Sequence, residues 1–130
     1  MLFAIDPSDP RPIYLQIVAQ VKQQVSQALL KPGDELPGVR ELADSLQINL
    51  HTVHHAYKQL RDDGVIHLRL GRRARVAPLR EQPAGRELVE SVLVKRLDEL
   101  ITEAFHLRLS EEDFRALVDE LLAKRKEKQS

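Results

Sequence analysis

Two short amphipathic stretches, separated by only three residues, constrain the fold of this chain more than any other feature. Apolar residues at helical spacing predict a first helix over residues 39–46. After the connection Gln-Ile-Asn, Asn49 can cap a second helix by accepting a backbone N–H of its first turn. Gly64 then ends that helix at Asp62 or Asp63. Two helices joined this tightly form a helix-turn-helix.

A longer amphipathic helix is predicted before this pair. Pro12 suits a first-turn position, where its missing N–H costs nothing, and apolar residues then recur at helical spacing up to about Leu30. A Pro-Gly turn follows. Leu36 is the one apolar residue of a short extended piece that leads into the helix pair.

A basic β-hairpin is predicted after the second helix of the pair. Apolar and polar residues alternate over residues 65–70, which predicts a strand with one buried face that includes Leu70. A glycine and two arginines at 71–73 make the turn, and residues 74–77 return as a second strand. We therefore expect residues 1–78 to form a winged helix-turn-helix domain, in which the hairpin is the wing.

Residues 79–130 predict a second region that consists of two amphipathic helices. Prolines and Gly85 mark the boundary, and Ser110 can cap the second helix. Two such helices cannot fully bury their apolar faces against each other alone, so we expect a second copy of the chain to cover them. The fold class is thus mostly α with a small β-hairpin. The predicted dimerisation residues are Leu88, Val89, Val92, Leu93, Leu97, Leu100, Ile101, Phe105, Phe114, Leu117, Val118 and Leu121.

Composition restricts the functions that the chain can have. Its 130 residues include no cysteine, which excludes a disulfide framework and a thiolate metal site. The chain contains no glycine-rich phosphate loop, no nucleophile with a plausible base, and no apolar stretch near the roughly 20 residues of a membrane helix. It also lacks a signal-peptide pattern at its start. We expect a cytoplasmic protein that is not an enzyme, does not enter a membrane and needs no cofactor or metal.

Charge is balanced over the whole chain but not along it. The sequence has 20 Lys+Arg and 20 Asp+Glu, whereas residues 40–77 have 7 basic and 4 acidic residues, a net charge of +3 (7 − 4). Four of the five histidines also lie in that segment. A basic surface there would favour a polyanionic partner.

Helical geometry separates the two faces of the second helix of the pair. At about 100° per residue, Val53 and Tyr57 lie on the inner, apolar face, whereas His51, His55 and Lys58 point outward. In a helix-turn-helix, the first turn of the second helix reads base edges in the major groove. Arginines at a hairpin turn suit an adjacent minor groove or the backbone. The pattern indicates double-stranded DNA as the partner.

Other interpretations of the histidines remain open. His51 and His55 are four residues apart on one helix face and could be two ligands of a zinc site, although no third ligand is evident on that face. Imidazoles also titrate near neutral pH, so a pH switch is a second interpretation. A plain solvated surface is the third.

The helix pair and its flanks resemble a known family of bacterial regulators. The segments PIYLQI and GDELPGVRELADSLQINLHTVHHAYKQLRDDGVI, with the glycine-led hairpin, are similar to the winged helix-turn-helix domain of GntR-family transcription regulators over about residues 10–77. The short region after that domain resembles the YtrA-type subfamily. This resemblance implies DNA binding by the first region and dimerisation by the C-terminal helices.

The resemblance also implies particular DNA contacts. Leu50 stands where a polar or arginine side chain often reads a base, and it could contact a thymine methyl group. The chain departs from the family pattern at Gly38, where a capping serine is usual, at Gln47, where glycine is common, and in the wing, which reads G-R-R-A-R-V. The contacts carried over from the family are Arg40, His51, Thr52, His54 and Gly71.

These observations together predict a sequence-specific DNA-binding regulator, a homodimeric repressor at an inverted-repeat operator. Two alternatives are a winged-helix protein-interaction module and a metal- or ligand-responsive form of the same regulator, with an unidentified small-molecule effector between the C-terminal helices. The predicted DNA-contacting residues are Arg40, Asn49, Leu50, His51, Thr52, His54, His55, Lys58, Gly71, Arg72 and Arg73.

Overall fold

The computed structural model of the protein describes residues 3–129, with side chains for residues 3–127. The chain divides after Leu79 into two compact units. The predicted mostly α architecture with a small β-hairpin is confirmed. The elements, in chain order, are α1 (Ile13–Ser26), α2 (Val39–Leu46), α3 (Leu50–Asp62), β1 (Ile66–His67), β2 (Arg75–Val76), α4 (Arg86–Val89), a π-helical segment (Glu90–Val94), α5 (Lys95–His106) and α6 (Glu111–Gln129).

The first unit has one core, to which each of its helices and strands contributes. α3 packs against α1, α2 and β1, so its inner face is enclosed from three directions. Close packing of this kind leaves a helix little freedom to rotate, which fixes the side chains that its outer face presents. The largest fully buried side chains are Tyr57, Ile17, Leu36, Leu60, Ile66, Val21 and Val53.

The connection between α2 and α3 is a left-handed turn followed by a cap. Gln47 has φ 54° and ψ 49°, and Ile48 donates its N–H to the Ala43 carbonyl at 3.0 Å. A non-glycine residue in this conformation costs about 1 kcal/mol. Ile48 packs partly buried against the core. Gly64, with φ +76°, follows the end of α3, so the predicted bounds of both helices are confirmed.

The prediction for the end of α1 is wrong. The helix ends at Ser26 and not near Leu30, because Ala28 adopts a left-handed φ of 59° that breaks the helical path. Leu29 and Leu30 then donate their N–H groups to the Gln24 carbonyl. Leu30 still reaches the core, but Leu29 is exposed and does not belong to the buried stripe.

The hairpin is held at its base from two sides. In the register of β1 with β2, Ile66 lies opposite Val76. On the other edge of β2, the N–H of Gly33 donates to the Val76 carbonyl at 2.8 Å, and the N–H of Leu36 donates to the Ala74 carbonyl at 2.8 Å. The extended segment predicted around Leu36 therefore lies along the second edge of β2 and anchors that strand.

The prediction of a longer first strand is wrong at its distal end. β1 contains only Ile66 and His67, and Leu70 is fully exposed at the turn instead of lying on a buried face. Leu68 still packs partly buried against the core, whereas Leu70 lies beyond it, so alternation at the tip of the hairpin does not correspond to burial.

The second unit consists of helices whose apolar side chains are mostly exposed. Five residues, Glu90–Val94, form a π-helical turn between α4 and α5, which the apolar spacing did not predict. The Ser110 Oγ accepts the N–H of Asp113 at 3.0 Å and caps α6, as predicted. Within the described residues, no helix is both long and apolar enough to cross a membrane.

Candidate nucleic-acid interface

The first turn of α3 presents a continuous exposed surface. The Asn49 side-chain oxygen accepts the His51 N–H at 2.7 Å, which satisfies one of the free amides at the helix start. The predicted cap is thus confirmed. His51 and His54 are exposed, Leu50 is 36% exposed, and Thr52 is half-buried. Four predicted contact residues therefore lie together at the start of α3, namely Leu50, His51, Thr52 and His54. A fifth, Asn49, caps the helix there.

The inner face of α3 is fixed by a buried tyrosine. The Tyr57 hydroxyl donates to the Pro37 carbonyl at 2.7 Å, which ties α3 to the segment that leads into α2. Burial, together with the nearby Glu41 carboxylate, raises the pKa of Tyr57 well above its usual range, against the opposing effect of Arg73. The phenol therefore stays neutral and remains a hydrogen-bond donor. Lys58, on the opposite face, is exposed.

His55 has surroundings that differ from those of the other two histidines on α3. Its ring stacks on the Tyr14 ring of α1, with the centroids 3.8 Å apart and an interplanar angle of 15°. The residue remains exposed, in agreement with the outward face assigned to it. One face of the imidazole is nevertheless covered, so His55 contributes to the packing of α1 against α3.

Arg40 and Arg73 are brought to the same region by different elements. Arg40 is exposed in the first turn of α2. The next residue, Glu41, accepts a charge-assisted bond at 2.7 Å from Nη2 of Arg73, which lies in the turn of the hairpin. This ion pair joins the wing to α2. Arg73, which the sequence predicts as a DNA contact, is therefore not a free cation in this structure but is bonded to Glu41.

The wing tip carries the remaining predicted contacts. Gly71 has φ +74°, a conformation that L side chains rarely adopt, so a glycine is strongly favoured at the turn. Arg72 is exposed beside it and makes no ion pair within the described part of the chain. Leu70 is also fully exposed there.

Basic side chains of the hairpin surround a small cavity of about 140 Å³. Its lining consists of His67, Arg69, Arg72, Arg73 and Arg75. Arg75 is anchored twice, by Glu35 at 2.6 Å and by the Gly33 carbonyl at 2.8 Å. A concave cluster of guanidinium groups matches the charge and the donor geometry that a phosphate group requires.

The described residues include no group of three or more His, Asp or Glu side chains that could hold a metal ion. His55, one half of the His51–His55 pair considered for zinc, is the residue stacked on Tyr14.

The apolar residues predicted for dimerisation are mostly solvent-exposed in the single chain. Val89 and Phe114 are half-buried. Three further apolar residues, Val94, Leu107 and Leu122, are exposed in the same unit but were absent from the prediction. The exposed members of the predicted set are Leu88, Val92, Leu93, Leu97, Leu100, Ile101, Phe105, Leu117, Val118 and Leu121.

Sequence reasoning missed several residues of this surface. The polar positions of the first strand could have indicated His67 and Arg69, because they alternate with apolar ones. Glu41 and Tyr14 left no local signal: the ion pair of Glu41 spans 32 residues, and Tyr14 meets His55 across two helices.

Comparisons with known proteins agree with this geometry. The sequence pattern of the family described as "Bacterial regulatory proteins, gntR family" matches residues 13–76. The HTH-type transcriptional repressor YtrA of Bacillus subtilis (strain 168) is 34% identical over 125 residues, covering 94% of this chain and 93% of that protein. A transcriptional antiterminator from Listeria monocytogenes EGD-e has a similar structure, with a TM-score of 0.85 and 27% identity over 96% of this chain and 92% of that one. YtrA from Sulfolobus acidocaldarius, a GntR-family transcription factor, gives a TM-score of 0.57 and 30% identity over 94% and 97%.

The Tyr14–His55 stack generates a prediction that separates packing from recognition. We expect His55→Ala to lower the free energy of unfolding by about 0.5–1.5 kcal/mol, because the aromatic contact between α1 and α3 is lost. His54→Ala is the matched control: it removes an exposed neighbour and should leave stability within about 0.5 kcal/mol. Urea denaturation measures both, and equal effects of the two substitutions would contradict the assignment.

Proposed function

This chain belongs to the GntR family of bacterial DNA-binding transcription regulators, and we propose that it represses transcription as a homodimer on an inverted-repeat operator. The observation that carries the proposal is the exposed first turn of α3, which the core and the Asn49 cap hold in one orientation. Sequence-specific readers of this type place that turn in the major groove. Repression is supported by the similarity to B. subtilis YtrA, which is a transcriptional repressor.

We assign base reading to the first turn of α3. His51 and His54 each carry ring nitrogens that can donate or accept a hydrogen bond at a base edge, and Thr52 adds a hydroxyl group. Leu50 is exposed enough to contact a thymine methyl group. Asn49 acts indirectly, since its side-chain oxygen is already bound to the backbone. His55 is assigned to packing and not to the groove.

Positioning on the duplex is assigned to cations around that turn. Arg40 on α2 and Lys58 on α3 are exposed and can contact phosphates on either side of the groove. Gly71 lets the wing turn tightly, and Arg72 beside it can enter a minor groove or meet the backbone. Such contacts fix register without reading sequence, so they contribute affinity that falls with salt.

Dimerisation is assigned to residues 79–130, and DNA binding to residues 1–78. The division of the chain into compact units after Leu79 supports this assignment. So does the apolar surface of α5 and α6: Leu100, Ile101 and Leu121 are each about half exposed. Exposed large apolar side chains in this number are costly in water and mark an interaction site. A two-fold symmetric dimer would place two α3 helices roughly 34 Å apart, or a multiple of that distance, matching an inverted repeat.

The first prediction of this proposal concerns DNA binding. The wild-type protein should bind a fluorescently labelled duplex from the region upstream of its own gene, saturably and with affinity that drops at least about tenfold between about 50 and 200 mM salt. Fluorescence anisotropy measures this. Addition of a chelator should change nothing.

Other outcomes of that titration would overturn the proposal in defined ways. Loss of binding on chelation would favour a metal-dependent form of the regulator. Absence of binding, both to this duplex and to duplexes selected from random-sequence DNA, would favour a protein-interaction module.

The second prediction concerns the apolar face. Leu100→Asp should convert the dimer to monomers in sedimentation velocity and weaken DNA binding, because a carboxylate at a buried interface would be desolvated without a partner. Glu99→Ala, which lies about 100° around α5 from Leu100 and outside its apolar stripe, should leave the dimer intact. A monomeric wild-type protein, or a dimer that tolerates Leu100→Asp, would show that this face is not the interface.

A further inference from the structure

The ion pair between Glu41 and Arg73 lies within the surface assigned to DNA. Glu41 follows Arg40 in the first turn of α2, and the Arg73 guanidinium also lines the basic cavity of the wing. The charges of both groups act on the pKa of the buried Tyr57 hydroxyl, which bonds the segment that leads into α2. A carboxylate at this place would repel the phosphates that the surrounding cations attract.

The contact is suited to exchange. The two side chains are 50% and 57% exposed, so water and salt screen their attraction and opening the pair costs little. Arg73 has this one bonded partner among the described residues, through a single Nη2 atom. A phosphate can engage the same guanidinium through two parallel bonds.

The neighbouring pair of Arg75 with Glu35 differs in one respect. Arg75 donates through Nη1 to the Gly33 carbonyl and through Nη2 to Glu35, so two bonds hold it to the base of the hairpin. Releasing Glu35 would still leave Arg75 tied to the backbone. This pair therefore provides an internal comparison for the pair at the wing tip.

We propose that the wing cavity is a site for one DNA backbone phosphate, and that Glu41 occupies its Arg73 donor in the free protein. On binding, the phosphate displaces the Glu41 carboxylate and bonds Arg73. Arg69 and Arg72 are adjacent cations that make no ion pair among the described residues. Glu41 thus competes with the phosphate for Arg73 and lowers the affinity of the protein for DNA. This inference rests on the proposed function, because it requires that the wing meets DNA.

The test compares four proteins in full-length form on a duplex that the wild-type protein has selected from random-sequence DNA. Arg73→Gln should reduce the slope of log affinity against log salt by about 0.9, which corresponds to one phosphate contact. Glu41→Gln should tighten binding about threefold to tenfold with the slope of the wild type, since the phosphate contact is kept and the competitor is gone. Glu35→Gln, the matched control, should change affinity by no more than about twofold.

Each result has a defined meaning. A wild-type slope in Arg73→Gln would show that Arg73 stays on Glu41 in the complex and would overturn the phosphate site. Weaker binding by Glu41→Gln would overturn the competition, since it would mean that Glu41 holds Arg73 in a productive position. If the wild-type protein recovers no duplex at all, the proposed function fails first. If the wild-type protein recovers a duplex, these variants test the phosphate site alone.

Discussion

The hydrogen bond from the Tyr57 hydroxyl to the Pro37 carbonyl links the buried face of α3 to the chain just before α2, and much of the surface that we assign to DNA binding depends on that link. The ring is almost fully buried, so an unpaired hydroxyl there would be costly. Because the Tyr57 ring must stay buried while its hydroxyl bonds Pro37, α3 is held in one rotation about its axis. That rotation determines that His51 and His54 face outward while Val53 packs in the core.

A protein with no net charge can still present a surface that attracts DNA, because charge acts locally. Residues 40–77, which contain α3, the wing and nearly all of α2, carry a net charge of +3 (7 − 4). Glu41 and Glu35 each pair with one wing arginine. In our account, these carboxylates keep the non-specific attraction moderate. Discrimination between sequences then depends more on the polar first turn of α3, where contacts exist only with the correct bases.

Local signals predicted the helix-turn-helix well, and long-range contacts account for what they missed. Asn49 and Gly64 gave the bounds of α3 because capping and helix termination depend on a few neighbouring residues. The left-handed Ala28 that ends α1 has no such signal, since alanine normally continues a helix. His55 and Arg73 were predicted as DNA contacts, but their partners Tyr14 and Glu41 lie on other elements, so no local pattern could indicate these contacts.

The most direct test of the account asks whether the first turn of α3 reads bases. Wild-type protein and His51→Ala are each used to select duplexes from random-sequence DNA, with Arg72→Gln as a variant that should lose affinity alone. We expect His51→Ala to lose its preference at one base pair in each half-site, equivalent to about 1–3 kcal/mol, whereas Arg72→Gln keeps the wild-type sequence preference. An unchanged preference in His51→Ala would contradict the account.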